Sequence, residues 1–155
     1  MYSVLFVCTG NQYRSPIAAE AFRGRLIHDG CATQWRIGSA GTWTSPGHHA
    51  PHAAIELASS LGVDIAGHIT RMLDTKMLED ANLVIVMEQG HKESIQVEFP
   101  FARKKTHLLS QVMDGLIYDI PDPAGARAEA KNIIRDLVEM IRTGYENIYS
   151  IVEPI

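Results

Sequence analysis

Four short apolar runs constrain the fold most: Val4–Val7, Arg36–Ser39, Leu83–Met87 and Thr106–Leu109. They do not alternate apolar with polar residues, as strands with one wet face do. Near-continuous apolar runs suit strands buried on both faces of a parallel sheet. The stretches between them carry helical spacing. Ile17, Ala18, Ala21, Phe22 and Leu26 recur at three and four residues and lead to Gly30, which can end a helix. Ala54, Leu57, Ala58 and Leu61 repeat the pattern before Gly62, and Ile133, Ile134, Leu137, Val138 and Ile141 share one face near the C-terminus. Strand and helix alternate from the start. This order predicts an α/β fold, a four-stranded parallel sheet flanked by helices and linked by right-handed crossovers.

The 155 residues suit one domain spanning 1–155. With 46% hydrophobic and 21% charged residues, disordered and low-complexity classes drop out. Lys and Arg number 14 against 18 Asp and Glu, a net charge of −4. That balance argues against nucleic acid as the main partner, because binding a phosphate backbone needs a basic surface. No apolar run approaches the roughly 20 residues that span a bilayer, so no membrane association is expected. Met1 to Val7 reads as a strand rather than a secretory leader. Cys8 and Cys31 are the two cysteines. So few in a chain this long points to a reduced, cytoplasmic setting, where a thiol is more often chemical than structural.

The first strand runs straight into Cys8-Thr9-Gly10-Asn11-Gln12-Tyr13-Arg14-Ser15, followed by Pro16 and a helical pattern. Ser15 is expected to cap that helix, with Pro16 at its first position. A loop between a strand's carboxyl end and a helix's amino end points backbone N–H groups outward into the positive end of the helix dipole, which binds a phosphate-like dianion. Gly10 and Asn11 tolerate the left-handed backbone that a tight anion nest needs. Cys8 in this field is expected to be a thiolate at neutral pH and a nucleophile toward phosphorus. Arg14 offers a planar fork for two phosphoryl oxygens. The Ser15 hydroxyl can stabilise the departing thiolate. The Gly-Lys-Ser/Thr ending of a nucleotide-binding P-loop is absent. No metal or cofactor is expected, since arginine and backbone supply the positive charge. A second stretch, Ser110 to Ala126, lacks periodicity and holds Pro121, Pro123 and Gly125. Long irregular loops in compact domains are often active-site loops.

These motifs resemble the low-molecular-weight protein tyrosine phosphatase family. Val7 to Asn11 and Arg14-Ser15-Pro16 match its phosphate loop, Ser39-Ala40-Gly41-Thr42 its second-strand motif, Gly67-His68 and Arg71 its Gly/Ser-His-x-x-Arg segment, and Asp122-Pro123 its general-acid dipeptide. The resemblance implies a three-layer fold with the phosphate-binding loop between the first strand and the first helix. It implies a metal-independent phosphatase acting on phosphotyrosine in proteins through a cysteinyl-phosphate intermediate, with Cys8 as nucleophile, Arg14 binding phosphate and Asp122 as general acid and then base. Thr9, Gly10, Asn11, Gln12, Tyr13, Ser15 and Trp43 are then the candidate substrate-binding residues. Ser39 and His68 are candidates for a supporting shell. The expected partners are a phosphoprotein and, in the loop, phosphate or another oxyanion.

Departures from the family pattern leave alternatives open. Tyr13 stands where many members carry a second, protective cysteine, and Cys31 is expected near the end of the first helix, far from Cys8. Reversible disulfide protection is therefore expected to be lost. Ala124 and Gly125 follow Asp122-Pro123 where an aromatic residue is common, so a ring slot would draw on Tyr118, Tyr13 or Trp43. Ser45 to Ala53, Met87 and His91-Lys92 resemble the protein-arginine phosphatase branch, where a threonine follows the loop asparagine; Gln12 stands there instead. An arsenate reductase would need relay cysteines that residues 80–92 lack. A non-catalytic phosphate-binding module would be expected to have lost Cys8 or Asp122. The bland readings elsewhere are a polar loop for His48, His49 and His52 rather than a zinc site, a surface or sheet-edge place for His91 and His107, packing for Trp35 and a solvated helix face for Arg127–Arg142. For Asp122 the competing reading is a turn-forming aspartate before proline, and Asp114 and Asp119 of the same loop are decoys for the acid.

Overall fold

A computed structural model describes residues 1–126 and 128–152. Four strands, β1 (Tyr2–Cys8), β2 (Trp35–Gly41), β3 (Leu83–Val86) and β4 (Thr106–Leu108), form one parallel sheet in the order β2-β1-β3-β4. Among the described residues seven α-helices accompany them: α1 (Arg14–His28), α2 (His52–Ser60), α3 (Thr75–Asp80), α4 (Gln89–Glu98), α5 (Leu109–Asp114), α6 (Ala130–Gly144) and α7 (Glu146–Ile151).

Successive residues of a strand face opposite sides of a sheet, and β1 builds one core on each. Val4, Phe6 and Cys8 join a cluster with Phe22, Leu26 and Trp35 that takes in Leu137 and Ile141 of α6. Leu5 and Val7 join a second cluster with Leu78 of α3 and Ile95 of α4. Both faces of the sheet are therefore covered, giving three layers. The unbroken apolar runs reflect this two-sided burial. Trp35 packs, as its place beside β2 predicts; it lies edge-on to Phe22 with ring centroids 5.3 Å apart.

The chain leaves β1 toward β2 and later returns past β1 to β3. Strand order thus reverses between β1 and β3, and crevices for ligands open beyond the carboxyl ends of strands at such a point. Three segments meet there: the 8–15 loop after β1, Met87-Glu88 after β3, and the 115–122 segment. The Ile120 N–H donates to the Met87 carbonyl at 2.9 Å, which pins that last segment across the end of the sheet. The stretch from Ser110 is less irregular than its sequence suggests. It opens in α5, whose single turn and a half is too short to display a period, and Gly115 closes it at φ 78°.

Candidate active site

Cys8 ends β1 and is 2% exposed. Its Sγ receives the Asn11 N–H at 3.3 Å and lies 3.0 Å from Ser15 Oγ. Asn11 Nδ2 donates to that same Ser15 oxygen at 2.9 Å, so the hydroxyl proton has two acceptors, the sulfur at 3.0 Å and the more distant Ala40 carbonyl at 3.5 Å. The expected cap is corrected here. The helix starts two residues earlier, with Tyr13 at its N-cap and Pro16 at its third position, and the Ser15 hydroxyl serves Cys8 and Asn11 instead.

Asn11 organises the loop. It is the one non-glycine residue of positive φ among the described residues, at 56°. Gly10 does not share that conformation; the left-handed turn rests on Asn11 alone. The Asn11 side chain is fully buried and bonded at both ends. Its Nδ2 also donates to Ser39 Oγ at 3.0 Å, and its Oδ1 accepts the Arg71 N–H at 2.9 Å. His68 Nε2 reaches the Asn11 carbonyl at 2.7 Å; the bond fixes Nε2 as donor, because a carbonyl only accepts. Burial pushes the His68 pKa below its ordinary value, the Asn11 bond opposing. Gly41 is required by space. A Cβ there would sit 2.6 Å from the Thr9 carbonyl oxygen. A cavity of about 460 Å³ lies behind the loop, walled by Ser39, His68 and Arg71 among others, on the supporting side and not at Cys8.

Arg14 is 2% exposed, with Nη1 held by Glu88 Oε2 at 2.5 Å and by the Ile120 carbonyl at 2.8 Å. Its Nη2 is 3.9 Å from Asp122 Oδ2. The guanidinium is thus fixed from two segments before any ligand arrives. Asp122 is half exposed. Its φ of −75° and ψ of 114° are extended, as a residue before proline must be. Its Oδ1 accepts the Ala124 N–H at 3.0 Å and caps the turn that follows, the turn-forming role of an aspartate before proline, while Oδ2 faces Arg14. The competing carboxylates are engaged by other groups. Asp114 accepts from the Tyr118 hydroxyl at 2.6 Å, and Asp119 accepts the Gln89 N–H at 2.8 Å.

The aromatic candidates stand apart from this cluster. The Trp43 ring is 80% exposed, although its backbone N–H donates to the Thr9 carbonyl. Tyr13 is half-buried against the core, and Gln12 is exposed. Cys31 lies three residues beyond the far end of α1, a helix of 15 residues or roughly 22 Å. Its Sγ is 3.6 Å from the Tyr149 hydroxyl, and both thiols are free. His52 begins α2 and pairs with Glu56 at 2.9 Å. Of the charged stretch 127–142, Arg127 lies outside the described residues; the rest from Ala130 belongs to α6.

Residues 3–152 match the profile of the family described as low molecular weight phosphotyrosine protein phosphatase. The chain belongs to this family. It is a phosphatase of that kind. A Klebsiella pneumoniae protein assigned to the low molecular weight protein-tyrosine-phosphatases is 36% identical over 88% of this chain and 90% of its own. A protein-arginine-phosphatase of Geobacillus stearothermophilus is 34% identical over 90% of each. Among solved structures, YwlE arginine phosphatase in a cysteine-to-serine mutant with a phosphorylated active-site serine has a TM-score of 0.87 at 28% identity, covering 96% of this chain and 97% of that one.

Two residues that the structure sets beside the Cys8 and Arg14 cluster were not among the candidate site residues. Glu88 carries no motif by itself, and its importance appears only when β3 sets it beside Arg14. His91 is not a surface or sheet-edge residue; it is 6% exposed and 2.8 Å from Thr9 Oγ1. Its polar helical segment predicts a surface place; the sign at this position is the resemblance of His91-Lys92 to the protein-arginine phosphatase branch. His107 is on the edge strand β4, as expected. Among the described residues no helix is long and apolar enough to cross a membrane.

Proposed function

We propose that this chain removes phosphate from protein side chains through a cysteinyl-phosphate, with phosphotyrosine as substrate and without a metal ion, in a reducing, cytoplasmic setting. The observation that carries the reading is the Cys8 sulfur held between an amide N–H and a hydroxyl, beside a buried and anchored Arg14. Sulfur attacks phosphorus in line as the phosphorus–oxygen bond to the tyrosine breaks. The Asp122 carboxyl gives its proton to the leaving oxygen. Water then attacks the cysteinyl-phosphate, Asp122 takes a proton from it, and the thiolate leaves with the Ser15 hydroxyl donating to it. Arg14 and the loop amides hold the three phosphoryl oxygens through both steps. Ser39 and His68 act by holding Asn11. The exposed Trp43 ring, joined to the loop through its backbone, is the candidate wall for the substrate's ring.

A second reading, phosphoarginine, is favoured by carboxylates at the mouth. Glu88 and Asp122 are 32% and 53% exposed, and they suit a guanidinium better than an aromatic ring. The polar, exposed Gln12 and the arginine-phosphatase relatives point the same way. The deciding experiment measures kcat/KM for a phosphotyrosine peptide and a phosphoarginine peptide side by side, without added metal, with Cys8→Ser as the blank. A preference for phosphotyrosine upholds the first reading and a preference for phosphoarginine the second. Turnover of neither, or turnover by Cys8→Ser equal to the wild type, overturns both.

A further inference from the structure

His91 has no part in the chemistry just described, yet it is buried against the phosphate loop. Its tautomer can be read from its neighbours. The backbone N–H of Glu88 donates to His91 Nδ1 at 3.2 Å. An N–H can donate only to a bare ring nitrogen, so the proton of the neutral ring sits on Nε2. Nε2 is 2.8 Å from Thr9 Oγ1. The ring therefore donates and the hydroxyl accepts. The reverse arrangement would set Nδ1–H against the Glu88 N–H.

The consequence falls on Thr9, the residue next to Cys8. Its oxygen is engaged by His91, and its own proton has no acceptor among the hydrogen bonds of the described residues. The hydroxyl is half-buried and stands in the anion loop. The Glu88 carboxylate that holds Arg14 at 2.5 Å is 3.6 Å from the same Nε2, so the ring borders the groups that receive phosphate. The charged groups facing His91 are Glu88 at the start of its own helix, Arg14 of α1, and Asp119 and Asp122 of the segment crossing the sheet's end. Burial outweighs the carboxylates and lowers the ring's pKa, which keeps it neutral at neutral pH.

We infer that His91 is a positioning residue: locked as the Nε2–H tautomer, it holds Thr9 Oγ so that the hydroxyl proton is presented to the phosphoryl group on Cys8. The loop thereby gains a side-chain donor besides Arg14 and the backbone amides. The inference rests on the phosphatase reading for its catalytic consequence, but its parts can be measured separately.

The test combines inorganic phosphate binding by titration calorimetry, kcat/KM for p-nitrophenyl phosphate, and nitrogen NMR of the His91 ring. Thr9→Val is expected to weaken phosphate binding and lower kcat/KM about tenfold, the worth of one hydrogen bond to a charged group. Thr9→Ser is expected to restore both. His91→Phe should lose the same factor alone and nothing more when Thr9 is already valine. The wild-type ring should show the Nε2–H tautomer, a readout that needs no variant to fold. An Nδ1–H tautomer, additive losses in the double variant, or phosphate binding unchanged in Thr9→Val overturns the inference. If the wild type binds phosphate but turns over no phosphoester, the phosphatase reading fails, while the tautomer and phosphate affinities still decide the role of His91.

Discussion

Replacing Asn11 tests how the loop is held. The side chain makes three bonds, donating to Ser15 and Ser39 and accepting from the Arg71 backbone, all buried or nearly so. At about 1 kcal/mol each, their loss costs about 3 kcal/mol. Asn11→Ala keeps the Cβ that the wild type already places at φ 56°, a conformation that costs about 1–2 kcal/mol and that the lost side-chain bonds no longer offset. Asn11→Gly loses the same bonds without that strain, although the freer glycine chain gives back about 0.5–1 kcal/mol of the advantage. The alanine variant should therefore be destabilised by about 3 kcal/mol and the glycine variant, relieved of the strain, by up to about 1 kcal/mol less. That order inverts the usual ranking of the two residues. Urea unfolding of wild type and both variants gives the comparison, with kcat/KM falling in both because Ser15 loses the donor that turns its proton toward sulfur. An alanine variant clearly more stable than the glycine one, or a loss under about 1 kcal/mol in the alanine variant, would refute the claim that Asn11 carries the loop.

Other consequences are open to measurement. Gly41→Ala drives a Cβ to 2.6 Å from the Thr9 carbonyl, an atom of the phosphate loop, so a loss of about 1–3 kcal/mol in urea unfolding and weakened phosphate binding are expected together. Asp122→Asn should lower kcat by about 10²–10⁴ for an ester with a poor leaving group and much less for one whose oxygen needs no proton, a contrast that steady-state kinetics across a leaving-group series would show. His68, His91 and His107 all have pKa values pushed below 6.5 by burial. The unfolded chain then binds more protons than the folded one as pH drops from about 6.5, so stability declines through the folded-state values of these rings. Unfolding midpoints from pH 7.5 to 5 should fall accordingly; midpoints that hold steady or rise contradict this.

The sheet was legible because both its faces are buried, which removes polar residues from β1 and β3 and leaves runs that no surface strand could carry. The phosphate loop was legible for a different reason. Cysteine, glycine, asparagine, arginine and serine sit at fixed spacings in contiguous chain, so local order alone identifies them. Glu88 and His91 reach the site from β3 and α4 across the sheet, a partnership made by topology and invisible along the sequence. Ser15 shows the limit of local rules: its hydroxyl could cap a helix, but the thiol one turn of loop away competes for it and wins. Trp43 stands beside the loop by backbone and away from it by ring, a distinction that residue type does not make.

The covalent intermediate is the centre of the account, and rapid-quench mass spectrometry of the enzyme during turnover tests it most directly. With an ester whose leaving oxygen needs no proton, the Asp122→Asn variant, slow to hydrolyse the intermediate, should accumulate a phosphoryl group on the peptide that holds Cys8, and Cys8→Ala should carry none. A phosphoryl group found on another residue, or full turnover by Cys8→Ala, would contradict it.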